Sequence, residues 1–218
     1  LKMHQKKNKI SLIFSYIFIL LFLTTLNNKI FTDTISELFK IKQIKISGVD
    51  FYSEKEIYDQ LEKLNSKNLI SIDKQKIMEI LNNSEIIENY SVTKKLPSTL
   101  ILNLEQTKFL ASFFKNGKKY YLGSNGREIL SEKYNYNLDI PIIYGEFNSK
   151  NFFELLSKFK KYNIPLNDIK QFYYFPSNRW DFKTKNDILV KLPKTDLNRT
   201  LKLYLFLLEN NDKKKIID

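Results

Sequence analysis

The 218-residue chain contains no cysteine, one histidine (His4), one alanine (Ala111), one tryptophan (Trp180) and only three arginines (Arg127, Arg179 and Arg199). Without cysteine there is no disulfide framework, no thiolate metal site and no cysteine nucleophile. The redox compartment stays open, since many exported proteins also lack disulfides. The lone His4 sits among lysines at the N-terminus, so no histidine-based triad or zinc site can be built from the rest of the chain. The sequence has no G-x-S-x-G, S-x-x-K, H-E-x-x-H, P-loop or G-x-G-x-x-G pattern, which removes the usual hydrolase, transpeptidase and nucleotide-binding signatures. Carboxylate pairs do occur, Glu54 with Glu56 and Glu85 with Glu88. They fall where helix-start electrostatics or solvated turns account for them, which leaves a glycosidase reading weak. No enzyme, cofactor or metal is expected.

Glycine and proline are scarce too, five of each, while 43% of residues are hydrophobic and 28% charged. That is the balance of a folding chain, long enough for one large or two small domains. The net charge of +12 rests on scattered lysines and hardly at all on arginine forks. With alanine so rare and Ile, Lys, Asn, Phe and Tyr abundant, the excess matches an AT-rich coding sequence better than a nucleic-acid footprint, and no nucleic-acid partner is expected.

The first strong positive signal is the uncharged run ISLIFSYIFILLFLTTL, Ile10 to Leu26. As a helix its 17 residues span about 25 Å, enough to cross a bilayer. The span would present Ile10, Leu12, Phe14, Ile17, Leu20, Phe22 and Leu26 to lipid. A cleaved signal peptide is the alternative, but Thr24-Thr25-Leu26-Asn27-Asn28 offers no A-x-A cleavage pattern, so an uncleaved anchor over 10–28 is favoured. Lys2, Lys6, Lys7 and Lys9 precede the run and only Lys29 closely follows it, which keeps residues 1–9 in the cytoplasm. No second such stretch follows. A single-pass type II protein is therefore expected, with all 24 acidic residues on the exported side.

From Ile41 onward the periodicity switches. Ile44 and Ile46 alternate with polar residues up to Gly48, predicting a strand; Ser53-Glu54-Lys55-Glu56 fits a capping box ahead of Ile57, Leu61 and Leu64 at helical spacing. Asp73 is a candidate N-cap for a second helix with stripe Ile77, Ile80 and Leu81. Tyr90 and Val92, a Leu96-Pro97-Ser98 turn, and Leu100, Leu102 and Leu104 then predict a hairpin. The order is β-α-α-β-β.

Beyond Gln106 the pattern is mostly β. Asn116-Gly117 between Phe109–Lys115 and Lys119–Leu122 is a tight-turn pair, and Ser124-Asn125-Gly126 makes another turn before Arg127–Leu130. A helix is expected over 149–163 with stripe Phe152, Leu155, Leu156 and Phe159, then strands at 171–175, 179–184 and 188–192. A last helix, capped by Thr195 or Asp196, carries Leu197, Leu201, Leu205 and Leu208. Trp180 should face the core, with Arg179 and Asp181 facing water. Arg179 then either dissolves the surface or pairs with a partner carboxylate.

IKISGVDFYSEKEI and YSVTKKLPSTLILNLEQ resemble the two ends of the POTRA module. Together with Asn116-Gly117, Gly126, IPIIYG at 140–145, Arg179-Trp180-Asp181 and NDILVKLP at 186–193, they make the whole chain similar to the bacterial FtsQ/DivIB family. The resemblance implies an α+β protein: one N-terminal transmembrane helix, a POTRA module (41–108) and an FtsQ-type β domain (109–218) with flanking helices. It implies a septal scaffold of the bacterial inner membrane, its bulk periplasmic, that recruits the division proteins FtsB and FtsL, with further division proteins meeting the POTRA module. Partners would add a strand at the sheet edge that begins with Lys215, Ile216, Ile217 and Asp218, and Arg179 is a further candidate interface residue. Family members continue past this point, so a truncated C-terminus is expected. The alternative is a POTRA-containing envelope assembly or secretion component, although no barrel-length series of strands follows.

Overall fold

The computed structural model describes residues 3–26, 29–65, 67–134, 136–210 and 216–217; side chains at 3–9, 25–26, 29–32, 51–52, 63 and 216–217 are outside the description. Two compact units divide the chain, one of residues 1–81 with 90–104, the other of 82–89 with 105–218.

The first unit begins with α1 (Met3–Leu26) and α2 (Lys29–Leu38). Every described side chain of α1, from Ile10 to Thr24, is exposed. The Thr24 hydroxyl donates to the Leu21 carbonyl at 2.8 Å, satisfying itself on its own helix. Among the described residues no helix is long and apolar enough to cross a membrane. Of the expected span, the Thr25 and Leu26 side chains and Asn27 and Asn28 lie outside the description.

β1 (Gln43–Ser47), α3 (Phe51–Leu61), α4 (Lys74–Asn83), β2 (Ile87–Lys95) and β3 (Thr99–Gln106) follow in the expected order. The sheet runs β1-β3-β2, with β1 parallel to β3 in the register Ile44↔Leu100 and Ile46↔Leu102. Leu100, Leu102 and Leu104 alternate inward because a strand's side chains have period two, and the helical stripe Ile57, Leu61 and Ile77 of the same unit is buried with them. Gly48 sits at φ +90°, and a Cβ there would lie 1.8 Å from the Leu104 carbonyl oxygen, so only glycine lets β1 turn away so close to β3. The cap of α3 corrects the expectation. Asp50 is the N-cap, its carboxylate accepting from the Ser53 amide at 3.0 Å, and Ser53 is itself a buried helical residue. An aspartate three residues before Ser53 offers a charged acceptor to the helix N-terminus and outcompetes the hydroxyl. Asp73 does cap α4, accepting from the Gln75 amide at 2.9 Å.

The second unit is one mixed sheet with two helices on one face. Its strands are β4 (Phe109–Lys115), β5 (Lys118–Gly123), β6 (Glu128–Leu130), β7 (Ile142–Tyr144), β8 (Ile169–Tyr174), β9 (Trp180–Thr184), β10 (Leu189–Lys191) and β11 (Ile216–Ile217); α5 (Ser149–Lys161) and α6 (Leu197–Glu209) are its helices. The spatial order is β11-β10-β9-β8-β7-β4-β5-β6. β7 pairs parallel with both β4 and β8, and β11 parallel with β10. Asn116 and Gly117, at φ 52° and 76°, close the β4–β5 hairpin as expected.

Phe152, Leu155 and Phe159 of α5 pack on Phe113, Ile143, Phe172 and Trp180, with Phe152 and Phe172 rings edge-on at 5.2 Å. The buried stripe of α6 is Thr200, Leu201, Tyr204 and Leu207; of the expected stripe, Leu201 is buried and Leu197 and Leu205 pack half-buried against the core, while Leu208, with Leu203 and Phe206, is exposed. LNRTLKLYLFLLE is apolar on most sides, so spacing alone cannot pick its inward face. The Tyr204 ring, 5.4 Å from Phe182 and edge-on, picks it.

Glu88 is another correction. Its carboxylate accepts from the Thr107 hydroxyl at 3.0 Å and from the Ser124 hydroxyl, so it is a partly buried anchor and not a solvated turn residue. Around it, Asn125 donates to the carbonyls of Glu85 (2.9 Å) and Ile87 (3.2 Å), and Arg127 donates to that of Ser84 at 2.5 Å. These bonds tie segment 82–89 to the turn at 123–127 and give its backbone carbonyls side-chain donors.

Candidate partner-binding edge

β9 is an inner strand of the second unit's sheet. From it β10 continues antiparallel, pairing Leu189 with Lys183, Val190 with Phe182 and Lys191 with Asp181. β11 then lies parallel outside β10, with Leu189 opposite Ile216 and Val190 opposite Ile217. It is the last strand on that side, and among the described residues no further strand pairs with its outer edge. Such an edge presents unpaired N–H and C=O groups to any extended segment that can reach it.

Of the expected interface residues, the structure brings Ile216 and Ile217 to this edge, while Lys215 and Asp218 lie outside the described residues. Arg179 is placed differently. It ends the loop before β9, two strands in from β11, and is occupied within its own unit. Its Nη2 donates to Asp181 Oδ2 at 3.2 Å, its Nε lies 3.1 Å from Oδ1, and its guanidinium stacks 4.5 Å from the Phe175 ring. Nε is buried at an angle that makes no hydrogen bond.

Asp181, expected to face water, is only 4% exposed. The strand does alternate: Trp180 and Phe182 point to the helix-covered face and Asp181 to the other. There the Arg179 guanidinium and the Leu192 amide, 3.3 Å from Oδ1, close over the carboxylate. An inner strand leaves an aspartate little solvent, and an arginine two residues away on the same face is the signal in the sequence that it would be neutralised.

Further along the same face, Lys183 donates to Asp187 across 2.8 Å, and that bond raises the lysine's pKa above its ordinary value. Tyr144 and Tyr173 stack with centroids 5.5 Å apart. Sequence reasoning missed this face, because it read no strand at 142–144, where β7 lies between β4 and β8.

A cavity of about 320 Å³ opens between α5 and the β8–β9 turn, lined among others by Asn151, Glu154, Lys158, Tyr174 and Trp180. Asn151 donates to the Tyr174 hydroxyl at 2.9 Å, and that hydroxyl donates to Asn178 at 2.5 Å. Among its described lining residues Glu154 is the one carboxylate. Among the described residues no group of three or more His, Cys, Asp or Glu side chains is placed to hold a metal ion.

The fold therefore defines a class: a small β-α-α-β-β module followed by a mixed-sheet module that ends in an edge strand. Family comparison is specific on both halves. Residues 39–106 match the POTRA domain of FtsQ type, and residues 113–218 match the C-terminal domain of the cell division protein FtsQ/DivIB. The chain belongs to the FtsQ/DivIB family of cell-division proteins.

Similar curated proteins are all described as cell division protein FtsQ. That of Rhizobium meliloti is 22% identical over 166 residues, covering 75% of this chain and 53% of the relative. Those of Rickettsia bellii and Rickettsia typhi are 25% and 27% identical, covering 81% and 79% of this chain and 66% and 65% of theirs. The chain thus spans between about half and two thirds of the length of these relatives. A solved structure, the major extracytoplasmic domain of DivIB from Geobacillus stearothermophilus, aligns with a TM-score of 0.34 at 17% identity, over 50% of this chain and 98% of that one.

Proposed function

We propose that this protein is a membrane-anchored, non-catalytic scaffold of bacterial cell division, which holds its partners outside the membrane by strand addition at the β11 edge. The observation that carries the reading is the sheet order: β11 is terminal and its outer edge is unpaired among the described residues. Membership of a cell-division family supplies the process. In this reading the uncharged run Ile10–Leu26 is the anchor, with the lysine-rich tail in the cytoplasm. The added strands come from FtsB and FtsL, which the family resemblance implies. Main-chain bonds then supply the affinity and alternate side chains the specificity. Arg179 contributes to partner binding by holding the β9–β10 end of the sheet in shape.

The test exploits backbone direction. Successive N–H groups of a strand point to opposite sides, so of Ile216→Pro and Ile217→Pro one removes an outward donor and the other a donor to β10. The expected result is that at least one proline variant loses capture of the FtsB extracytoplasmic segment while both corresponding alanine variants keep it. Capture at the wild-type level by both proline variants would exclude strand addition. A fluorescent fusion spread evenly around the envelope of dividing cells would exclude the divisome role and favour an envelope-assembly component.

A further inference from the structure

We infer that α2 is an interfacial helix, lying in the headgroup layer of the same membrane with its apolar face toward the acyl chains, and that it holds the POTRA-type unit at the bilayer surface. The inference rests on the reading of Ile10–Leu26 as the anchor. Helical spacing of about 100° per residue puts positions 30, 31, 34, 35 and 38 (Ile, Phe, Thr, Ile, Leu) on one arc of about 140°. Positions 29, 32, 33, 36 and 37 (Lys, Thr, Asp, Ser, Glu) fill the other side. A helix so divided needs an apolar surface to cover one face.

The protein's own fold does not supply that cover at the described positions: Ile35 is 39% and Leu38 51% exposed. What lies nearest along the chain is the apolar run itself, since only residues 27 and 28 separate α1 from α2. A helix that begins where the hydrocarbon core ends, with a water-facing side of small polar and charged groups, fits the headgroup layer. Its polar face is close to neutral, with Lys29, Asp33 and Glu37, and Glu37 is paired with Lys40. Insertion should therefore depend on apolar contact and hardly on anionic lipid.

At its far end α2 joins the folded unit without slack. The Phe39 amide donates to Ile35 O at 3.2 Å, continuing the turn, and Phe39 O accepts from the Leu69 amide at 2.7 Å. Ile41, three residues past the helix, is core, and its amide donates to Lys67 O at 2.9 Å. With no free linker, an α2 seated on the membrane carries β1 and its sheet to within about one helix length, roughly 15 Å, of the headgroups.

Because the chain has no cysteine, single probes can be placed at will. The full chain, reconstituted in phosphatidylcholine vesicles, would carry an environment-sensitive label at Ile35→Cys, Leu38→Cys, Asp33→Cys, Glu37→Cys or, as the anchor control, Leu20→Cys. The expected result is several-fold weaker quenching by an aqueous quencher at 35 and 38 than at 33 and 37, a shielded label at 20, and the same pattern when phosphatidylglycerol is added. Shielding at 20 with equal exposure at all four α2 positions overturns the inference and leaves the anchor standing. A label at 20 open to water overturns the anchor reading and this inference with it. A pattern seen only with phosphatidylglycerol overturns the apolar-insertion mechanism.

Discussion

Replacing Arg179 with alanine separates an internal clamp from a partner contact. Asp181 is 4% exposed and accepts from two places, the Arg179 guanidinium and the Leu192 amide. Removing one partner of a fully buried ion pair costs about 3–5 kcal/mol, because the remaining charge is left uncompensated. Arg179 is 40% exposed, so water reaches the guanidinium and, after the substitution, the carboxylate. That screening, with the Leu192 amide still in place, brings the expected loss down to about 1–3 kcal/mol. The cation–π contact with Phe175 accounts for up to about 1 kcal/mol of it. Asp181→Asn removes the charge that needs neutralising, so the double variant should be more stable than Arg179→Ala alone.

Trp180, the only tryptophan, lies between the two residues in sequence and in the core, so its emission during urea unfolding reports on the strand concerned. An Arg179→Ala midpoint indistinguishable from wild type, with partner capture lost, would refute the clamp and make Arg179 a direct contact. Equal, additive losses for the two single variants would show that the side chains do not act as a pair.

Three further expectations follow from the packing. Gly145 is at φ +100°, and a Cβ there would lie 2.1 Å from the Tyr174 carbonyl oxygen, whereas Gly117 at φ +76° has open space around it. Gly117→Ala should therefore cost about 1 kcal/mol in backbone strain alone and Gly145→Ala clearly more; equal thermal shifts would contradict the close approach of β7 to β8. Phe152→Ala should cost about 3–5 kcal/mol and shift Trp180 emission to the red, since the rings are 5.6 Å apart; unchanged emission would place Phe152 elsewhere. Burial, helped by the charge of Asp168, pushes the Tyr204 phenol up to about 12 from an ordinary value of 10.0. The folded state then holds its proton where the unfolded state has lost it, so stability is complete below about pH 10 and falls between about pH 10 and 12. Tyr204→Phe should flatten that alkaline decline, and an unaltered alkaline profile would rule the phenol out.

Elements whose pattern is local were legible in the chain. The alternation of Leu100, Leu102 and Leu104, the spacing of Ile57 and Leu61, and Asn116-Gly117 each fix a strand, a helix face or a turn through the nearest neighbours only, and each appears in place. The absence of cysteine, and of histidine beyond position 4, likewise leaves this sequence no thiolate or histidine pair to work with. Tertiary structure alone decided what depends on distant segments. It set β7 between β4 and β8, and β11 parallel to β10, because pairing order is a competition among strands far apart in the chain. It chose the inward face of α6 through Tyr204 and Phe182, where helical spacing was ambiguous. And it buried Asp181 under Arg179, because the burial of a strand residue is set by what covers the sheet, and only the assembled fold places Arg179 and Leu192 over that carboxylate.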